Sequence, residues 1–277
     1  MFDAGPAQDT PLMQDPAFAA ALRRCGKNPI VLKSGLMLLH RRVLGTPITM
    51  LPRAVPPDDL DDQLQAHNLH RTPVILSPDR PCTLPRALRL RGPQYLAQLR
   101  LHPDADAARA ALHPKWRNQL GRAEAAGLRV SHRPMSPKST HPLLQLETAQ
   151  ARARRYANWP AVLTAAFAAV APDQTRLFVV HQMGGVVAHM LFLRHGARAT
   201  YHIGHITAVG KACYAHNLLL WQASLWLAAQ GHSTLDLGLI DPRTPGLNRF
   251  KLRTGAESIQ TGGTWLRWRP LARGDDP

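Results

Sequence analysis

Lysine is scarce in this chain: six residues (27, 33, 115, 138, 211 and 251) against 28 arginines in 277 positions. Lys251 closes the segment Gly246-Leu-Asn-Arg-Phe250-Lys251, just after a Pro/Gly-rich loop. An ammonium beside a developing negative charge in a dry cleft stabilises that charge strongly, which makes Lys251 the first catalytic candidate; the plainer reading is a surface lysine after a turn. Carboxylates are scarcer still. Between Glu147 and Glu257 the only acids are Asp173, Asp236 and Asp241. Asp236 sits between Leu235 and Leu237 in a predicted strand, so alternation turns it to the opposite face from both. It is a candidate general base, or a structural carboxylate bonding an arginine or a helix N-terminus. Arg152 and Tyr156 lie one turn apart on a predicted helix; they form a ligand contact or part of a solvated basic face with Arg154 and Arg155. His216 and Asn217 open an apolar helix, either as caps or within reach of a phosphate. His202 and His205 flank Gly204 but point to opposite strand faces and form no chelate by themselves, so no metal site is expected. No Ser, Cys or Thr has a recognisable nucleophile context, which leaves chemistry by direct attack.

These groups need a scaffold. The length gives one large domain or two smaller ones, with ample material for a buried core. Cys25, Cys82 and Cys213 are odd in number and far apart, so neither a disulfide framework nor Cys-x-x-Cys metal spacing follows. The first residues lack the basic and apolar regions of a signal peptide. The longest apolar runs, 161–171 and 218–229, are too short to span a bilayer. A cytoplasmic location is the expectation. The formal net charge of +16 points to a polyanionic partner: RNA, DNA, a phosphorylated ligand or an anionic membrane face. Arg, Ala and Pro rising together are equally a mark of GC-rich coding sequence. The charge is spread along the chain, and its richest stretch runs from Arg86 to Arg133.

The patterning predicts a helix over 15–25, short strands over 30–51, a helix over 58–67 and a strand over 72–76. Prolines then break regular structure up to Gly92. Asp104 caps a helix, Pro114 restarts one, and Gly127 stops it. A strand at 128–132 and a helix at 143–156 follow. Asn158 and Pro160 open another helix. Three strands (176–182, 186–194, 197–206) joined by Met-Gly-Gly and His-Gly turns form a meander. An apolar helix at 214–229, a strand at 233–239, a short helix at 248–253 and a last strand pair around Gly262-Gly263 complete the chain. A helix linking an antiparallel meander to one further strand implies a mixed sheet with a crossover, the order that the GNAT acyltransferase fold uses.

Two stretches carry a family resemblance. His113-Pro-Lys-Trp-Arg-Asn-Gln-Leu-Gly-Arg-Ala-Glu-Ala-Ala-Gly127 resembles a conserved-pattern helix of the Fem family, the aminoacyl-tRNA-dependent transferases that extend peptidoglycan peptides. The ordered set Tyr201-His-Ile-Gly204, His216-Asn-Leu-Leu-Leu-Trp221, Gly231, Asp236-Leu-Gly238 and Gly246-Leu-Asn-Arg-Phe-Lys251 is similar to the C-terminal GNAT half of Fem proteins and of their acyl-CoA-linked relatives. The resemblance spans roughly residues 110–265. It implies an α/β (α+β) fold with a GNAT-like mixed sheet flanked by helices: a reduced N-terminal half (1–103), a complete C-terminal half (104–270) and a tail at 271–277. The helical-hairpin insert with which several Fem enzymes contact tRNA has no counterpart here.

The resemblance also implies an activity: transfer of an acyl or aminoacyl group from acyl-CoA or aminoacyl-tRNA, as co-substrate rather than bound cofactor, to an amine such as that of a cell-wall precursor. Lys251 falls on the lysine thought to stabilise the oxyanion; Asp236 stays a candidate base or, slightly ahead of that, a structural carboxylate. Tyr201, Gly210, Lys211, His216 and Asn217 are the expected donor contacts; Arg152, Tyr156 and Phe250 are the expected acceptor contacts. The loop Thr207-Ala-Val-Gly-Lys-Ala212 keeps only the Gly-x-Ala remnant of the usual CoA pyrophosphate cradle, which leans slightly toward an aminoacyl-tRNA or an unusual acyl donor. The rival expectation is a non-catalytic RNA-binding protein on the same scaffold, using the basic stretch 86–133; Trp116 within it is either a base-stacking platform or, at least as readily, a core residue.

Overall fold

The computed structural model describes residues 9–43 and 45–268; the predicted tail at 271–277 lies outside them. Two packed units emerge. One comprises the described residues of Met13–Leu96 together with those from Ile259 to Trp268. Its sheet has six strands in the order β1-β2-β3-β4-β13-β5: β1 (Ile30–Val31), β2 (Met37–Val43), β3 (Thr46–Pro52), β4 (Val74–Ser77), β5 (Leu88–Arg91) and β13 (Thr264–Arg267). Helix α1 (Pro16–Arg24) starts on Asp15, whose Oδ1 accepts from the Ala17 N–H at 2.8 Å. Helix α2 (Leu60–Ala66) buries Leu60 and Leu64 among Leu38, Leu51 and Leu76.

The other unit is Ala97–Ser258, joined by the described residues up to Leu12. Its sheet has seven strands in the order β12-β6-β11-β10-β9-β8-β7: β6 (Tyr95–Arg100), β7 (Arg129–Arg133), β8 (Thr175–Gln182), β9 (Gly185–His195), β10 (Arg198–Ile206), β11 (Thr234–Leu239) and β12 (Glu257–Gln260). Strands β7 to β10 are antiparallel to their neighbours, and the β10–β11 pair is parallel. The helices are α3 (Ala105–Ala111), α4 (Pro114–Ala125), α5 (Pro142–Arg154), α6 (Ala161–Val170), α7 (Ala208–Ala212), α8 (Ala215–Ala229) and α9 (Pro245–Leu252). Apolar α8 is buried at Leu218, Leu219, Leu220 and Leu227, and packs with α4 and strands β8, β9 and β11 in one core. This is the expected mixed sheet flanked by helices, in two halves.

Three local readings change. The two last strands do not pair with each other: β12 joins the seven-stranded sheet and β13 the six-stranded one. The chain passes between them through Gly262 and Gly263, where side chains have no room. A Cβ at Gly262 would lie 2.6 Å from the Arg80 carbonyl oxygen, and one at Gly263 would lie 2.7 Å from that of Arg91. The chain changes unit at 12/13, 96/97 and 258/259, where the sequence pattern suggests one division at 103/104. Strand β5 lies in the proline-rich stretch read as irregular, because its partner β13 is supplied from the far end of the chain.

Candidate functional site

The site begins where two strands part. Strands β10 and β11 pair over Arg198–Thr234, Ala199–Leu235 and Thr200–Asp236 only, then run on to Ile206 and Leu239. At that point β10 carries an irregularity against β9, between Tyr201 and Ile203. The Thr207 N–H bonds the Val187 carbonyl at 3.0 Å. Alternation along β10 then turns the peptide groups of Gly204 and Ile206 to the other edge, toward β11. A Cβ at Gly204 would overlap the Tyr201 hydroxyl, so the strand depends on glycine here. The result is a wedge in which the Gly204 carbonyl, released from β11, accepts from Gln150 Nε2 at 3.3 Å.

Lys251 stands at the β11 side of this wedge. Its side chain is only 6% exposed, and Nζ donates to the Leu239 carbonyl at 2.8 Å. Burial pushes its pKa down from the ordinary lysine value, while the Asp236 and Asp241 carboxylates pull it back up. Asp236 Oδ1 accepts from the Gly238 N–H at 2.7 Å, so this carboxylate fixes the end of β11 and faces Lys251 as a counter-charge. Helix α9 is held in place by Asn248, which bonds the Asp241 N–H at 3.1 Å and carbonyl at 2.8 Å. Phe250 packs its ring against Trp116 and His216, with centroids 6.1 and 6.4 Å away.

The expected donor residues divide. Residues 208–212 form the short helix α7, capped by Thr207, whose Oγ1 accepts from the Gly210 N–H at 3.1 Å. Gly210 is buried, with its Cα against the Val187 carbonyl. Its amide is engaged and its role is close packing. Lys211 is exposed at this corner. His216 Nε2 bonds the His205 carbonyl at 3.1 Å, and Asn217 is buried with Nδ2 3.4 Å from Gln119 Oε1 on α4. Both tie α8 into the fold. Trp116 is 1% exposed and is core, not a surface for stacking a base.

The expected acceptor pair is not assembled. Helix α5 ends at Arg154, and Arg155 adopts a left-handed conformation (φ 55°). Tyr156 therefore leaves the helix instead of sitting one turn above Arg152. Arg152 lines a surface depression with Ser139, Gln145 and Thr148, while the Tyr156 hydroxyl donates to Glu147 Oε1 at 2.9 Å. Glu147 is the group that sequence reasoning missed. It is 6% exposed and also accepts from Asn158 Nδ2 at 2.8 Å. One turn on, Gln150 Nε2 reaches both the Tyr156 hydroxyl (3.0 Å) and the Gly204 carbonyl (3.3 Å). Burial, first, and the Glu147 charge raise the Tyr156 pKa, against the pull of its bond to Gln150.

Burial holds several histidines of this unit neutral, some near the wedge and others, His195 and His232, at the far ends of its strands. His202 bonds Thr164 Oγ1 at 2.9 Å, and His189 lies beside His205 (6.3 Å between rings). Among the described residues no group of three or more His, Cys, Asp or Glu is placed to hold a metal ion. Burial lowers His202 to about 3, and His189, His195, His216 and His232 to about 4. Below about pH 6.5 the unfolded chain binds protons that the folded one refuses, each histidine adding up to about 1.4 kcal/mol per pH unit of destabilisation. The stability these residues contribute is present above pH 6.5 and lost as pH falls from 6.5 toward 4. Thermal melting across this range should show a steadily falling midpoint; a flat profile contradicts the burial of these rings.

A mixed sheet whose parallel central pair splays beside a kinked strand, with a helix crossing between the two, defines a GNAT-type acyltransferase frame. The family model described as acetyltransferase (GNAT) domain matches residues 113–252, and the chain belongs to that family. The fold is similar to that of FemX, with a TM-score of 0.72 at 12% identity over 96% of this chain and 94% of that one. It is also similar to the C-terminal domain of a putative lysylphosphatidylglycerol synthetase from Agrobacterium fabrum (TM-score 0.57, 16% identity, 94% and 90% covered). A tandem GNAT protein from the clavulanic acid biosynthesis pathway matches at TM-score 0.51 and 13% identity, with 99% and 92% covered. Comparison with curated protein sequences gives no match. The chain is thus a GNAT-family protein, and its likeness to FemX is one of fold.

Proposed function

We propose that this protein transfers an acyl or aminoacyl group from a phosphate-bearing donor to an amine by direct attack, with the donor carbonyl seated in the β10–β11 wedge. One observation carries the reading: a single buried lysine, Lys251, stands at the β11 side of the wedge with its ammonium bonded to the last carbonyl of that strand. There it stabilises the oxyanion formed as the amine adds to the carbonyl. The amine nitrogen forms the new C–N bond, the donor's C–S or C–O bond breaks, and the leaving group takes a proton from the nitrogen.

Of the two donor classes, the corner at α7 favours aminoacyl-tRNA. A pyrophosphate cradle needs free backbone amides, and here the Gly210 N–H is spent on Thr207. The acceptor in the resembled family is a cell-wall peptide precursor, and that class of amine is the first to assay. No helix among the described residues is long and apolar enough to cross a membrane. Mass analysis of co-purifying molecules, with and without ribonuclease, tests the donor. Charged tRNA fits the proposal, whereas stoichiometric CoA overturns the tRNA preference and leaves acyl transfer in place.

A further inference from the structure

The described carboxylates near the wedge are Asp236, which accepts from the Gly238 N–H, Asp241, which pairs with Arg243, and Glu147. Glu147 is nearly buried yet forms no ion pair: the salt bridges among the described residues are Arg109–Glu124, Arg198–Asp9, Arg243–Asp241 and Arg267–Asp61. Both of its hydrogen bonds, from Tyr156 and Asn158, fall on Oε1. A carboxylate removed from water without a cation is costly, so a ligand cation placed there gains what the protein has not supplied. The location is specific. Glu147, the Tyr156 hydroxyl, Gln150 Nε2 and the Gly204 carbonyl form one chain of hydrogen bonds, with steps of 2.9, 3.0 and 3.3 Å. It runs from the carboxylate to the wedge edge of β10. Tyr156, which donates to Glu147, is itself 37% exposed.

Granted acyl transfer to an amine as proposed above, we infer that Glu147 binds the acceptor's ammonium and takes its proton, so that this wall of the site selects a cationic end rather than a phosphate. The ammonium displaces the Tyr156 hydrogen bond at Oε1. One N–H proton passes to the carboxylate and on to water, and the freed lone pair attacks the donor carbonyl. The electron pair of the C=O bond moves to oxygen, opposite Lys251. Collapse expels the leaving group, which takes the second nitrogen proton. The charged and titratable groups around the carboxylate are Tyr156, Tyr201 and His205, with Arg154 beyond them. Arg154 is exposed at the helix end and bonds to no carboxylate among the described residues.

Calorimetric titration with cadaverine, a primary diammonium, reads the site directly, with inorganic phosphate as control. Wild type should bind cadaverine and show no Glu147-dependent phosphate binding. Glu147→Gln, which keeps an acceptor for Tyr156, should weaken cadaverine at least tenfold, and Glu147→Asp should restore part of the loss. No binding to wild type, or equal affinity in Glu147→Gln of unchanged melting temperature, overturns the cation site. Transfer is read separately, with acetyl-CoA and with alanyl-tRNA as donors. Glu147→Gln should lose about 100-fold or more in kcat/KM for the amine near pH 7. It should regain activity as pH rises toward the amine's own pKa, because the free amine then needs no base. Transfer at the wild-type rate across about pH 6 to 9 overturns the base role and leaves acyl transfer standing. Amine binding without transfer in wild type overturns acyl transfer and leaves the cation site.

Discussion

Lys251→Met should abolish most of the transfer activity while leaving a folded protein. The methionine fills nearly the same volume but removes the one ammonium at the β11 side of the wedge. Losing one preorganised group at a developing oxyanion costs about 10²–10³ in kcat, or roughly 3–4 kcal/mol of barrier. The stability cost should be smaller, about 1–3 kcal/mol, since the Leu239 carbonyl loses its donor and Asp236 loses a counter-charge. Lys251→Arg keeps the charge on a wider, planar head and should recover only part of the rate. Steady-state kinetics beside thermal melting separates the two effects. A Lys251→Met protein with full activity removes this residue from the mechanism.

Gly210→Ala should be among the most destabilising single-methyl changes in the chain. The new Cβ would overlap the Val187 carbonyl oxygen and sit 2.9 Å from Ile206 Cγ1. Neither neighbour gives way cheaply: Val187 O already accepts from the Thr207 N–H and Oγ1, and Ile206 ends β10. Overpacking of this kind costs about 3 kcal/mol, which for a chain of this size lowers the melting temperature by roughly 6–12 °C. The short helix α7 would be pushed off β9 and the end of β10 with it, so donor affinity should fall together with stability. A melting point within a degree of wild type would mean that α7 is not packed as described.

Local signals carried much of this architecture. Asp104 and Pro114 cap or open α3 and α4, the glycine turns mark the meander, and the β10–α8–β11 crossover follows from the order of elements. The site was legible where a residue's partner is close in sequence: Lys251 with Leu239, and Asp236 with Gly238. It was illegible where the partner is distant or the backbone changes hand. A single left-handed residue, Arg155, separates Tyr156 from Arg152, and helical periodicity does not foresee it. Glu147 was visible only as the edge of an acid-poor stretch. Its meaning comes from Gln150 reaching the Gly204 carbonyl, 54 residues along the chain. Strand β5 was missed because β13, its partner, lies at the opposite end of the sequence.

The charge of +16 takes its place in the same account. A basic surface raises the encounter rate with any phosphate-bearing donor without choosing where the donor binds. The rival reading of this charge, an RNA-binding surface over the stretch 86–133, loses its base-stacking residue because Trp116 is buried.

Backbone hydrogen exchange with and without donor, using alanyl-tRNA and acetyl-CoA in turn, tests the location of the chemistry most directly. Added donor should slow exchange at Tyr201–Ile206 and Leu237–Leu239, the two lips of the wedge. Protection confined to the basic stretch between Arg86 and Arg133, with the wedge unchanged, would contradict the account.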